Sequence, residues 1–181
     1  MLNIAGFEKT SLIDYPGKLS AVVFTHGCNM RCAYCHNPEL VIDPVCSDRL
    51  YAPTKILEYL ARRKGKLDAV VITGGEPLLY DDLNSFIIQI KKLGYLVKLD
   101  TNGLLPEKLE KYIRNHRLDC VSMDVKYSTN DYIKILGELG FEKIRDSIRI
   151  IMGSNIDYEF RTTYVKGIHS TMSSKEIAQL I

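Results

Sequence analysis

The chain has 181 residues, 46% of them hydrophobic and 25% charged, with a formal net charge of +2. That length suits one domain with a sizeable core, and so even a charge balance gives no general case for a nucleic-acid partner. No apolar run approaches the length needed to cross a bilayer.

Met1 to Lys9 has neither the basic start nor the apolar run of a signal peptide, so a cytoplasmic setting with reduced thiols is expected. Residues 1–18 read as a segment leading into the first strand, with a turn at Asp14-Tyr15-Pro16-Gly17. Strand one is predicted over Leu19 to Thr25, and a cysteine-rich loop follows it. A helix opens at Pro53 and Thr54 and ends near Gly65. Strand two, Leu67 to Thr73, runs into Gly74-Gly75-Glu76-Pro77. Leu83, Phe86, Ile87, Ile90 and Leu93 repeat at helical spacing, with Gly94 as the stop. Tyr95 to Asp100 is strand three, Pro106 to Asn115 a helix, and Asp119 to Lys126 strand four. Phe141, Ile144, Ile148 and Ile151 mark a further helix, and Asp157 to Val165 is strand five. Ser173-Ser174-Lys175-Glu176 reads as a capping box opening a last helix.

Strands alternating with helices argue for parallel βαβ units. Along strand three Lys98, Asp100 and Asn102 share one face, along strand four Ser122, Asp124 and Lys126, and along strand five Glu159, Arg161 and Thr163. Buried unpaired charge is too costly to leave facing a dry core, so these faces are expected to line a polar lumen. An incomplete barrel, wider than a closed one, accommodates that.

Three of the five cysteines fall within eight residues, Cys28, Cys32 and Cys35, spaced C-x3-C-x2-C. A [4Fe–4S] cluster takes one ligand per iron, so three thiolates leave one iron open to an outside molecule. A Cys3His zinc site completed by His36 is the competing use of the same residues. Cys46 reads as a loop cysteine. In parallel barrel-like folds the active site lies at the strand carboxyl ends, where the cysteine loop, Gly74 to Pro77, Asp100 to Gly103, Asp124 to Lys126 and Arg161 to Thr163 all fall. Glu76 can receive the ammonium of an amino-acid ligand.

Cys28, Cys32, Tyr34 and Cys35 together resemble the signature of the radical S-adenosylmethionine (SAM) enzymes. Lys9 to Lys18 before the motif and His36-Asn37-Pro38-Glu39-Leu40 after it resemble, within that superfamily, the activating enzymes of glycyl-radical proteins, most closely those of the anaerobic ribonucleoside-triphosphate reductase. The resemblance implies a single α/β domain over 1–181, an incomplete parallel (βα)6-type radical SAM barrel cut short in or after the fifth helix, with its last strand absent. It also implies a [4Fe–4S] cluster on Cys28, Cys32 and Cys35, and a SAM pocket built from Tyr34, Gly74, Gly75, Glu76, Pro77, Thr101, Asn102, Asp124, Lys126 and Arg161. The chemistry implied is reductive cleavage of SAM to a 5′-deoxyadenosyl radical that abstracts hydrogen from a glycine of a partner enzyme. No general base is then needed, and His26, His116 and His169 are expected to be structural.

Two expectations concern charge. Asp100 and Asp124 gather near where a ligand carboxylate would lie, and either Lys98 and Lys126 offset them or a monovalent cation binds between them. The basic run Arg62, Arg63, Lys64 and Lys66 is either a docking patch for a flavodoxin or ferredoxin electron donor or a solvated helix end. A radical SAM enzyme acting on a small molecule would share every one of these motifs, whereas a non-enzymatic zinc module would share only the cysteines.

Overall fold

The structure is a computed structural model that describes residues 1–42 and 50–181; Cys46 lies outside the described residues. Six strands form one sheet in the order of the chain: β1 (Ile4–Ser11), β2 (Ser20–Thr25), β3 (Ala69–Gly74), β4 (Leu96–Thr101), β5 (Cys120–Asp124) and β6 (Asp157–Arg161). β1 runs antiparallel to β2, and every other neighbouring pair is parallel. The helices are α1 (Glu39–Ile42), α2 (Pro53–Arg62), α3 (Leu83–Lys92), α4 (Pro106–Arg114), α5 (Thr129–Met152) and α6 (Thr171–Ala178).

The sheet puts its two side-chain rows to different uses. Val70 and Ile72 of β3, Val97 and Leu99 of β4, and Val121 and Met123 of β5 are fully buried in one large core with Ile56, Leu60, Ile87, Ile90, Leu109 and Ile144 of the helices. A smaller cluster on the opposite face joins Tyr15, Val22, Ala69, Val71 and Cys120. That second cluster lies near the strand amino ends. Above it the same rows turn polar, as the alternation predicts.

Three expectations need correction. The segment 1–18 contains a strand, so the predicted strand one is the second of the sheet. β1 escaped notice because only its first and last residues are buried and its middle carries Glu8 and Lys9, the marks of an edge strand. α5 begins at Thr129, twelve residues before Phe141, with Ser128 accepting from the Asp131 amide at its start; Gly137 breaks it midway with φ 74° and ψ 171°. The last helix is capped three residues earlier than expected. Ser170 is its N-cap, and Ser173 is the third helical residue that completes the capping box.

Candidate active site

The loop between β2 and α1 carries the cysteines, and hydrogen bonds tie it at its base, along its span and at its middle. The Gly27 amide donates to the Leu40 carbonyl at 2.7 Å and closes its base. Nη1 of Arg31 donates to the carbonyls of Cys28 and Met30 at 2.7 and 2.9 Å. The Cys35 amide donates to the Cys32 carbonyl at 3.1 Å. Tyr34, between the second and third cysteines, donates its hydroxyl to the Lys126 carbonyl at 3.1 Å. His169 meets that same carbonyl at 2.8 Å through Nε2. Because its Nδ1 accepts from the Val165 amide at 3.0 Å, Nε2 carries the proton and donates. Tyr34 also packs edge-on against Tyr127 and His169. His169 is therefore structural, as expected, and it braces the cysteine loop.

Cys28, Cys32 and Cys35 line one cavity of about 590 Å³ at the strand carboxyl ends. Its wall includes Tyr34, Gly74, Gly75, Thr101, Asn102, Asp124, Lys126 and Arg161, all singled out from the sequence. It also includes Met30, Asn37, Val41 and Thr73, whose side-chain types gave no signal; only the strand-end position could have pointed to Thr73. Burial pushes the thiols of Cys28 and Cys32 up from their ordinary value. His36 lines the same cavity, but among the described residues no three His, Cys, Asp or Glu side chains stand close enough to hold a single ion. A zinc ion draws sulfur ligands to about 2.3 Å, whereas a four-iron cluster takes each thiolate on a separate iron. Three soft donors arrayed around a roomy cavity fit the cluster.

The turn after β3 forms the facing wall. Gly74 adopts φ 118°, and a Cβ on Gly75 would stand 1.8 Å from the Gly27 carbonyl oxygen, so only glycine lets the turn approach the cysteine loop this closely. Glu76 and Pro77 do not line the cavity. Glu76 is fully buried, its Oε1 accepting from the Leu78 amide at 3.1 Å and its Oε2 from the Asn102 amide at 2.8 Å, with the Thr101 hydroxyl on both. Burial raises its carboxyl from 4.5 to about 7, against the pull of those donors. The carboxylate thus locks the Gly74–Pro77 turn to the end of β4, and Asn102 passes the constraint on by donating to Asn29 at 2.7 Å and to the Cys28 sulfur at 3.6 Å.

Across the cavity, charge is closely matched. Arg161 donates to Asp124 at 3.2 Å and pairs with Asp100 at 3.2 Å. Lys126 reaches Asp124 at 2.9 Å, and Lys98 reaches Asp100 at 2.9 Å. Burial works against the Arg161 charge, but the two aspartates outweigh it and raise its pKa. The three cations take up the aspartate oxygens, which is the first of the two alternatives, lysine offset, with Arg161 added to it. The basic run 62–66 ends α2 beside the start of β3, at the opposite end of that strand from the cysteines. Six residues of strand put it about 20 Å from the cavity mouth, and Arg63 stacks over Tyr59 at 5.9 Å. A solvated helix end describes it better than an electron-entry patch.

The model of the radical SAM superfamily matches residues 22–181. A Methanocaldococcus jannaschii protein, named provisionally as a glycyl-radical enzyme activating enzyme, is 35% identical over 187 residues, an alignment covering 98% of this chain and 75% of the relative. The pyruvate formate-lyase-activating enzyme of Clostridium pasteurianum is 31% identical over 162 residues, covering 83% of this chain and 65% of its own. This chain therefore spans about three quarters of the first relative's length and just under two thirds of the second's. Among solved structures, an archaeal TYW1 superposes with a TM-score of 0.58 at 18% identity, over 89% of this chain and 60% of that one.

Proposed function

The chain belongs to the radical SAM superfamily, and from that premise we propose that it is a glycyl-radical activating enzyme, a single domain over 1–181 whose partner is an anaerobic ribonucleotide reductase. The observation that carries the reading is the convergence of Cys28, Cys32 and Cys35 with the Gly74–Gly75 turn and the polar ends of β4, β5 and β6 on one cavity. A [4Fe–4S] cluster on Cys28, Cys32 and Cys35 would supply the one-electron reduction of SAM, and with it the radical chemistry that takes hydrogen from a glycine of the partner.

The chain's own part is binding and exclusion. The three cysteines would hold three irons of the cluster and leave the fourth open to SAM. Gly74 and Gly75 present backbone without side chains to its amino acid end, while Thr101 and Asn102 flank it. Arg161 and Lys126 offer positive charge for the carboxylate, against Asp124 for the ammonium. Tyr34 lies on the adenine side. The electron donor, a flavodoxin or ferredoxin, approaches the cysteine-loop face, where Arg31 is exposed, rather than the basic run at the far end. No helix of the described residues is long and apolar enough to cross a membrane, and a thiolate-held cluster suits the cytoplasm, where we place the protein.

The test is anaerobic reconstitution, followed by assay of 5′-deoxyadenosine with and without the purified reductase, and by electron paramagnetic resonance for a glycyl radical. Formation of the radical on the reductase supports the proposal. Cleavage of SAM with no radical on any glycyl-radical protein would instead favour a small-molecule substrate.

A further inference from the structure

Lys98 offsets Asp100, but its ammonium is buried in the sheet and has partners beyond that carboxylate. It stands third in β4, in the row of Val71 on β3 and Cys120 on β5. Its side chain is 1% exposed. A buried ammonium has three protons to place, and here each has an acceptor: the Asp14 carbonyl at 2.7 Å, Asp100 Oδ1 at 2.9 Å and Glu159 Oε1 at 3.5 Å. Glu159 is held in turn by the Ser122 hydroxyl.

These acceptors belong to different parts of the molecule. Asp100 is on the cavity wall, and its other oxygen pairs with Arg161, which also pairs with Asp124. Asp14 is in the loop joining β1 to β2. That loop leads into β2 at the strand amino ends, with Tyr15 buried against Val22, Ala69, Val71 and Cys120. At its outer turn Leu12 and Ile13 are 80% and 88% exposed. Within the loop, the Ile13 and Asp14 amides donate to the Ser11 hydroxyl at 3.2 and 3.3 Å, and the Lys18 amide donates to the Tyr15 carbonyl at 3.1 Å.

We propose that Lys98 is a positioning residue that couples the cavity to the Ser11–Lys18 loop, so that a ligand held in the cavity stiffens a loop at the strand amino ends. Lys98 grips a cavity carboxylate and the loop backbone with the same ammonium. A ligand that restrains Asp100 between Arg161 and Lys98 restrains the same ammonium that holds the Asp14 carbonyl, and the coupling this creates acts equally in both directions. The coupling goes beyond the proposed activity and does not depend on which partner accepts the radical.

The test is amide hydrogen exchange at Ile13, Asp14 and Lys18 in the cluster-loaded protein, with and without S-adenosylhomocysteine. In the native sequence the ligand slows exchange there. In Lys98→Met, exchange of the ligand-free protein rises about tenfold, the factor for about 1.4 kcal/mol, and the ligand no longer changes it even though it still binds. A bound ligand that leaves these amides unchanged in the native protein overturns the proposal, whether or not Lys98→Met folds. So does a Lys98→Met protein that keeps the full ligand-induced slowing.

Discussion

Glu76→Gln separates two uses of one carboxylate, and the structure sets the size of the effect. Folding moves the Glu76 carboxyl from 4.5 to about 7 through burial. The folded state thus binds its proton more tightly than the unfolded chain, so stability falls as pH rises from 4.5 through 7. At about 1.4 kcal/mol per pH unit, the full loss is about 3 kcal/mol. Glutamine carries no charge and escapes this loss. It also replaces one oxygen by an amide nitrogen, and each oxygen of Glu76 accepts a backbone N–H. One of those donors is then orphaned at about 1–3 kcal/mol. Glu76→Gln should therefore be destabilising at about pH 5 and nearly neutral at about pH 8, a swing of about 2–3 kcal/mol. Urea unfolding followed by circular dichroism, with cluster loading matched, measures the difference between the two proteins. A difference independent of pH would refute the buried-proton argument. A carboxylate that instead meets the SAM ammonium predicts a loss of about 1.5–3 kcal/mol in ligand affinity, with no such crossover.

Alanine at Cys28, Cys32 or Cys35 should each abolish cluster assembly by iron and sulfide analysis, whereas Cys120→Ala, buried near the strand amino ends, should load normally. Gly75→Ala should unfold at lower urea and lose SAM binding, because the added methyl meets the Gly27 backbone, not a side chain that can turn away. SAM cleavage should run at equal rates in sodium, potassium and a bulky organic cation at constant ionic strength, since Lys98, Lys126 and Arg161 already neutralise Asp100 and Asp124. A clear preference for one small cation would show that the lysines leave room for it.

What the chain disclosed of itself followed the physics of each segment. A β-branched and aromatic run marked β2, and period-2 polarity along β4 and β5 identified the cavity wall, because a charged face inside a parallel sheet has nowhere else to go. β1 stayed hidden, since an edge strand with Glu8 and Lys9 lacks that alternation. The start of α5 stayed hidden as well, because Ile135 and Leu139 are exposed and Gly137 interrupts the turn. Glu76 was recognised as important but assigned to the ligand. Nothing in Gly-Gly-Glu-Pro says which way the carboxylate faces; that is decided by the amides of Leu78 and Asn102, one of them on another strand. The brace of His169 and Tyr34 on one carbonyl spans residues far apart in sequence and has no local signature.

The carbonyl of Lys126, shared by Tyr34 and His169, bears on how a cluster is taken up. Where metal binding is also the folding event, the affinity for metal is reduced by the entropy of ordering the ligand loop, and losing the metal melts the site. Here the loop is pinned at its middle by Tyr34, at its base by Gly27 and Leu40, and along its span by Arg31. Its conformational entropy is surrendered when the sheet folds. A loop ordered by its own protein contacts gives up less entropy on taking up metal than one the metal must order, so cluster loading is expected to follow the supply of iron, sulfide and reduced thiols and not a folding step.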